Sequence, residues 1–159
     1  MPLSLVEADG AEPELYRSEQ PMTTDVLRNV IRDAFTGDRP PDVPEIVPEY
    51  GYVHLENEEI RDAFGGKTWD ELPIPFLTYH REAVFFFTPK GWAYYLPAYM
   101  QAILTQYDET DTMVNGLLAT IRPSRKVHLE ARRRARVAAL NDRQRAALGK
   151  FVDWVASAH

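Results

Sequence analysis

The chain has 159 residues, a net charge of −6 and no cysteine. A single domain of this length buries roughly 70% of its unfolded surface and needs no metal or disulfide to fold. The missing cysteines exclude thiolate catalysis, cysteine-ligated zinc sites and disulfide bridges.

The N-terminal segment, residues 1–21, is acidic and has no hydrophobic periodicity. This pattern predicts a loosely ordered tail ahead of a single helical domain over residues 22–158. The segment has no basic stretch followed by a long apolar run, so we expect no signal peptide. The longest apolar run, residues 83–87, is far shorter than the roughly 20 residues of a membrane-spanning helix. We therefore predict a cytoplasmic location and no membrane partner.

The first predicted helix begins after Thr23 or Thr24 and ends at Gly37, because apolar residues recur between them at helical spacing. Residues 39–52 contain four prolines, which predicts an extended linker along the surface. A short strand near residues 50–53 is an alternative for the end of this linker.

The segment after the linker is predicted to contain two short helical pieces. Asn57 is the expected N-cap of a second helix, which the glycine pair at residues 65–66 ends. Residues 68–71 have the Thr-x-x-Glu form of a capping box, and Pro73 ends the turn that follows.

Ten of the 18 aromatic residues fall within residues 76–107, and this density predicts the centre of the core. A helix is expected to start near Pro75, whereas residues 83–87 fit either a strand or a buried helix. The Thr-Pro pair at residues 88–89 predicts a helix start. We expect Pro97 to interrupt that helix and to open a new one at an angle.

The C-terminal third is predicted to be mainly helical. A helix is expected to start at Asp111 or Thr112 and to end before Pro123. Residues 125–140 fit a strand at their start and a helix beyond it, and a capping box at residues 141–144 opens the last helix. We predict a mostly α, single-domain, bundle-like fold with short capped helices, a proline-rich linker and at most a minor β-hairpin.

Five strings lie within roughly residues 55–155. They are WDEL at 69–72, AVFFFTP at 83–89, YYLPAY at 94–99, LNDRQ at 140–144 and FVDW at 151–154. With these strings the chain resembles a family of small, uncharacterised bacterial proteins, a domain of unknown function. The resemblance implies a shared helical core and a bacterial cytosolic setting. It implies no activity and brings no catalytic residues.

No motif in the sequence assigns a familiar enzymatic chemistry. The strings GxSxG, GxxxxGKS/T, GxGxxG and HExxH are absent, so the local signatures of hydrolases, P-loop proteins, dinucleotide-binding proteins and zinc peptidases are missing. His80 and Glu82 are a candidate base and orienting carboxylate, but residues two apart on a helix point to different faces. We predict no metal and no cofactor.

Charge is unevenly distributed along the chain. Residues 1–62 hold 15 acidic residues and five arginines, whereas residues 121–159 hold ten basic residues and three acidic ones. Either the two segments lie side by side and neutralise each other, or one of them is presented to a partner of opposite charge.

The first functional hypothesis is a non-enzymatic protein-binding module, such as an adaptor or a toxin-neutralising immunity-type protein. Small size, missing catalytic motifs and an acidic surface suit it, since acidic surfaces can cap the basic active sites of nucleases. The expected partner is another protein that contacts these exposed acids: Glu45, Glu49, Glu56, Glu58, Glu59 and Asp62.

The second hypothesis is nucleic-acid binding by the basic stretch at residues 122–136. In it, phosphates contact the arginine run that contains Arg132, Arg133, Arg134 and Arg136. The simpler interpretation is a solvated arginine face, or one that pairs with the acidic N-terminal third.

The third hypothesis is an enzyme with an unfamiliar site in the aromatic segment, residues 76–107. Its pocket is lined by Tyr94, Tyr95 and Tyr99, because tyrosine offers a flat apolar face and one hydroxyl. The simpler interpretation is core packing around Pro97, with the hydroxyls bonded to backbone groups that the proline leaves free.

Overall fold

The computed structural model describes residues 22–48, 54–107 and 111–158. Residues 1–21, Glu49 and the alternative strand at residues 50–53 lie outside the described residues. Within these three ranges the regular structure is entirely helical, so the predicted mostly α fold is confirmed. The helices are α1 Thr24–Phe35, α2 His54–Phe64, α3 Ile74–Tyr79, α4 Pro89–Thr105, α5 Asp111–Ile121, α6 Val127–Ala138 and α7 Asp142–Ala158. Three short 3-10 turns accompany them, at Val43–Glu45, Trp69–Glu71 and Arg81–Phe85.

Helix α4 forms the centre of the protein. Helices α1, α3, α5 and α6 pack around it, and α7 packs against α1. Twelve residues of α4 are buried, among them Trp92, Tyr95 and Tyr99, which are almost completely removed from solvent. The aromatic segment therefore builds the core, as its density of rings predicts.

Helix α4 runs without interruption through Pro97, so the expected new helix at this proline is wrong. A proline in a helix interior removes one backbone hydrogen bond and costs about 3 kcal/mol in an isolated helix. Pro97 and its neighbours Leu96 and Ala98 are all buried. Packing on every side of α4 outweighs the local penalty, and no sequence window contains that information.

The proline-rich linker does not simply follow the surface. Ile46 and Val47 lie in the core with no exposed area. The carbonyl of Ile46 accepts a hydrogen bond from the backbone N–H of Thr88 at 2.9 Å, directly before α4. The Thr88 hydroxyl also donates to the carbonyl of Glu45 at 2.5 Å. The linker thus joins the core to the start of α4, which corrects the expected surface course.

Local capping signals place several helix starts correctly. The hydroxyl of Thr23 accepts from the N–H of Val26 at 3.1 Å, and the predicted capping box at residues 68–71 is present. In the box at residues 141–144, the two side chains and two backbone N–H groups exchange hydrogen bonds of 2.9 and 3.0 Å. These predictions succeed because each depends on groups within four residues.

The expected cap at Asn57 is wrong, because α2 already begins at His54. Asn57 lies inside the helix and is buried, and its side-chain amide donates to the carbonyl of Pro48 at 3.0 Å. The asparagine therefore ties α2 to the linker instead of starting the helix.

Two ambiguous stretches are helical in the structure. Residues 83–87 include the end of the 3-10 turn Arg81–Phe85, and residues 125–140 contain α6. The helix-favouring arginine–alanine composition of α6 prevails over the short alternation at its start. None of the described helices is long and apolar enough to cross a membrane.

Candidate functional site

All three candidate pocket tyrosines are buried core residues. The hydroxyl of Tyr95 donates to the carbonyls of Phe64 and Lys67 at 3.0 Å each, and that of Tyr99 donates to the carbonyl of His80 at 2.8 Å. Burial raises the pKa of both tyrosines well above its usual range. Their hydroxyls therefore bind the ends of α2 and α3, and not backbone groups freed at the proline in α4.

Tyr94 differs from these two, because it lines a groove of about 440 Å³ between α1 and α4. Its hydroxyl accepts from the N–H of Trp69 at 3.2 Å. On the rim, the guanidinium of Arg28 donates to the hydroxyl of Thr105 at 2.9 Å. The described lining residues include no histidine and no serine, so the groove presents no serine–histidine pair.

A second concave feature is acidic. Helix α2 and the end of α3 form a depression of about 260 Å³ whose principal groups are Glu56, Glu59, Tyr79, His80 and Glu82. We call this feature the acidic notch. Its carboxylates come from α2 and from the 3-10 turn that follows α3, and the ring of Tyr79 is 73% exposed beside them.

His80 forms the inner wall of the acidic notch. Its ring lies 4.7 Å from that of Phe76 and 5.4 Å from that of Phe64, measured between centroids. Burial lowers the pKa of His80, and the negative charge of Glu59 acts in the opposite direction. The neutral imidazole therefore gains stability from its aromatic surroundings.

The negative charge of the notch is only partly offset within the described part of the chain, since three carboxylates and one guanidinium line it. Neither Glu56, Glu59 nor Glu82 has a described cation within ion-pair distance. Arg81 also borders the notch, but its guanidinium donates to the carbonyl of Thr78 at 3.0 Å. The notch thus presents three exposed carboxylates around an aromatic wall.

The arginine run of α6 is divided by its own carboxylate. The Glu130 side chain binds Arg133 at 2.6 Å and Arg134 at 3.0 Å. The hydrogen bond from Arg133, followed by those from the Ser124 N–H and Arg134, holds the pKa of Glu130 well below its usual range. These two arginines are therefore engaged within α6.

The other two arginines of the run bond to carbonyls outside α6, one in α5 and one in the 3-10 turn Arg81–Phe85. Arg136 is only 8% exposed, and its guanidinium donates to the carbonyl of Thr120 at 2.9 Å. Arg132 donates to the carbonyl of Phe85 at 3.1 Å. The four candidate phosphate contacts therefore do not form one open face, since helical geometry turns adjacent side chains in different directions.

Residues 23–159 match the model of a family of unknown function, DUF6714. The chain belongs to the DUF6714 family. No curated protein and no solved structure matches it. The match agrees with the resemblance to an uncharacterised domain family.

In this DUF6714 chain the predicted partner-binding acids are distributed over different surfaces. Glu45 pairs with Lys90 at 2.8 Å, and the hydrogen bond from that lysine lowers the pKa of the carboxyl. Glu58 and Asp62 are exposed on α2 but do not line the notch. Of the described candidates, only Glu56 and Glu59 meet there.

Sequence reasoning missed the contribution of the α3 end. In a continuous helix, His80 and Glu82 would point to different faces. The chain instead changes from α3 to a 3-10 turn at His80, and this change brings both side chains to the notch. The exposed aromatic residue before the turn, Tyr79, was the available signal.

The two charged segments of the chain are not joined by direct ion pairs in the described ranges. The ion pairs there are Lys90–Glu45, Arg133–Glu130, Arg134–Glu130 and Arg145–Asp142. None of them links residues 22–62 with residues 121–158. Direct pairing between the acidic and basic segments therefore has no support in this part of the structure.

Proposed function

We propose that this member of the DUF6714 family is a non-enzymatic protein-binding module that holds a basic partner at the acidic notch. The observation that carries the proposal is the cluster of Glu56, Glu59 and Glu82 beside exposed Tyr79, where no described cation forms an ion pair with these carboxylates. A complementary charge on the partner removes the mutual repulsion of these carboxylates and accelerates association.

The notch suits a lysine or arginine side chain of the partner. Its volume of about 260 Å³ lies below the range of roughly 300–1,000 Å³ typical of small-molecule pockets. A cation placed there lies among carboxylates from α2 and from the 3-10 turn and near the ring of Tyr79, which also line the notch. Cation–π contact at an exposed tyrosine adds about 0.5–1 kcal/mol, and tyrosine is enriched among residues that dominate interface energies.

This surface supports an adaptor or a toxin-neutralising immunity-type protein in a bacterial cytoplasm. An acidic face covers a basic active site by mimicking its anionic substrate, and long-range attraction increases the rate of capture. The same attraction predicts that association slows as ionic strength rises, because exposed charges are screened over about 10 Å at 0.1 M salt.

The test compares two double charge reversals of equal size. Glu56→Lys with Glu59→Lys alters the notch, whereas Asp33→Lys with Asp153→Lys alters exposed acids on α1 and α7. Each tagged protein is used for affinity capture from nuclease-treated lysate of the source organism, followed by mass spectrometry. A stoichiometric protein captured by the wild type and the α1/α7 variant, but lost by the notch variant, supports the proposal.

The captured partner is then purified for titration calorimetry. We expect at least a tenfold loss of affinity for the notch variant, an unchanged affinity for the control, and a faster dissociation for Tyr79→Ala. A partner that binds both double variants equally would place the interface elsewhere. Capture of no protein under any condition would refute the binding-module assignment.

A further inference from the structure

A third concave feature, lined by basic residues, lies between α5, α6 and the 3-10 turn Arg81–Phe85. Its volume is about 370 Å³. Its basic lining residues are Arg122, Arg132, Arg133 and Arg136, and its apolar ones include Phe85, Ala119, Pro123 and Leu129. We call it the arginine cavity.

Two of its guanidinium groups are held close together without a compensating carboxylate. Arg132 and Arg136 are one helical turn apart and therefore share a face of α6. In the described ranges their hydrogen-bond acceptors are neutral carbonyls, those of Phe85 and Thr120. The nearby carboxylate of Glu130 is occupied by two other arginines of α6.

This arrangement is costly in the absence of an anion. Burial lowers the pKa of Arg136, and the positive charge of Arg132 lowers it further. Each guanidinium has five N–H donors, of which the described hydrogen bonds use only a part. Clustered like charges in a cavity are typical of functional sites, because a bound counter-charge offsets their repulsion.

We propose that the arginine cavity binds a small phosphate monoester, with the phosphate held by Arg132 and Arg136. A monoester carries a charge of about −1.5 to −2 at neutral pH, which matches the two cations. Guanidinium groups bind phosphate oxygens in a bidentate manner, so the pair also fixes its orientation. The site is separate from the acidic notch and goes beyond the proposed partner binding.

The apolar wall determines what the phosphate is attached to. Phe85 and Leu129 are each 38% exposed, which leaves hydrophobic surface uncovered beside the cationic end. A planar or aliphatic group on the phosphate covers this surface and is itself removed from solvent. The cavity volume falls in the range of small-molecule pockets and accommodates one such group.

A nucleic-acid strand fits this geometry less well. Binding of a strand needs a track of cations along several phosphates, often with aromatic rings between them. Here Arg133 and Arg134 are bound to Glu130, and Arg136 is reached through the cavity and not across an open face. The geometry therefore favours one phosphate with a compact substituent.

The first test is titration calorimetry of the full chain with phenyl phosphate. Inorganic phosphate, phenol, a phosphotyrosine peptide and a single-stranded oligonucleotide are the comparison probes. We expect one phenyl phosphate per chain, bound about tenfold more tightly than inorganic phosphate because the ring is also buried. Phenol alone is expected not to bind. Tighter binding of the peptide or the oligonucleotide than of phenyl phosphate would overturn the small-molecule assignment.

The second test uses a matched pair of charge removals on α6. Arg132→Gln is expected to weaken phenyl phosphate binding at least tenfold, whereas Arg134→Gln, which does not line the cavity, leaves it within about twofold. Circular dichroism and urea unfolding establish that both variants fold. If Arg132→Gln does not fold, the site is tested by nuclear magnetic resonance on the wild-type chain. Phenyl phosphate must then shift the signals of residues around Phe85 and Arg136. Equal affinities of the two variants, or unshifted cavity signals, would refute the site.

Discussion

The approach of the linker to α4 predicts opposite effects for the same substitution at two glycines. Gly91 lies in the first turn of α4, where an added Cβ would lie 2.5 Å from the carbonyl oxygen of Ile46. Gly149 lies in α7, where an added Cβ meets nothing within 4 Å. We therefore expect Gly91→Ala to destabilise the protein and Gly149→Ala to stabilise it.

The magnitude for Gly91→Ala follows from the contact. The added methyl is about 0.9 Å short of the 3.4 Å at which ordinary contact begins, and the atom it meets belongs to the backbone. Overpacking of this kind costs about 1–3 kcal/mol, and displacing the Ile46 carbonyl weakens its bond to Thr88 by about 1 kcal/mol. Alanine returns about 1 kcal/mol of helix propensity, so the expected net loss is about 2 kcal/mol.

Urea unfolding followed by far-ultraviolet circular dichroism measures both variants. Gly91→Ala is expected to lower the free energy of unfolding by about 2 kcal/mol, whereas Gly149→Ala raises it by about 1 kcal/mol. An unchanged denaturant slope would show that the unfolding reaction itself is the same. If Gly91→Ala is as stable as Gly149→Ala, the Ile46 carbonyl does not lie against α4 and the described course of the linker is wrong.

Four further substitutions test individual interactions by the same unfolding assay. Tyr99→Phe is expected to lose about 1 kcal/mol, because its buried hydroxyl donates to a carbonyl that keeps a second donor. The exposed Tyr79→Phe should change nothing, and equal losses would contradict the assigned roles. Asn141→Ala removes the cap of α7 and is expected to cost about 1 kcal/mol, whereas no loss would show that this box is not formed in solution. Glu130, whose folded pKa is lowered mainly by Arg133, stabilises the fold above its unfolded pKa of about 4.3, and this contribution is lost as pH falls towards the folded value. The wild type should therefore have a higher free energy of unfolding than Glu130→Gln at neutral pH. This difference in stability should shrink between about pH 5 and pH 2. A difference independent of pH would refute the linkage.

The starts of helices were predictable where the deciding groups are close in sequence. Thr23, Thr88 and the boxes at residues 68–71 and 141–144 all begin helices or turns through bonds to groups three residues away. The wrong predictions concern features that depend on groups distant in sequence. Whether Pro97 breaks α4 depends on what packs around it, which the local sequence does not contain.

In the candidate sites, too, features set by nearby residues were predictable from the sequence, whereas features set by packing were not. The exposure of acids on α2 was foreseeable, but their meeting with Glu82 depends on how α3 packs and ends. The arginine run held more local information than was used. A spacing of four residues places Arg134 beside Glu130 and Arg136 beside Arg132, so helical geometry alone separates an arginine paired with Glu130 from the two that line the cavity.

The two proposed sites share one structural element, the 3-10 turn Arg81–Phe85. Glu82 of this turn lines the acidic notch, whereas Phe85 lines the arginine cavity and its carbonyl accepts from Arg132. A turn this short has few backbone hydrogen bonds of its own. Its position therefore depends on its packing against α5 and on side chains that reach it from α4 and α6.

Substitutions that displace the 3-10 turn can therefore be distinguished from substitutions that alter only one site. Tyr99 holds the residue before the turn, so Tyr99→Phe is expected to weaken the ligands of both sites together. Glu59→Lys alters only the acidic notch and should weaken only its ligand, whereas Arg132→Gln also removes a hydrogen bond to the turn. If a single-site variant also changes the affinity of the other site, the turn has two arrangements that both ligands bias, and the coupling must then be equal in both directions. Independent affinities would mean that the turn is a rigid support, and that this chain presents its acidic and basic sites to separate partners.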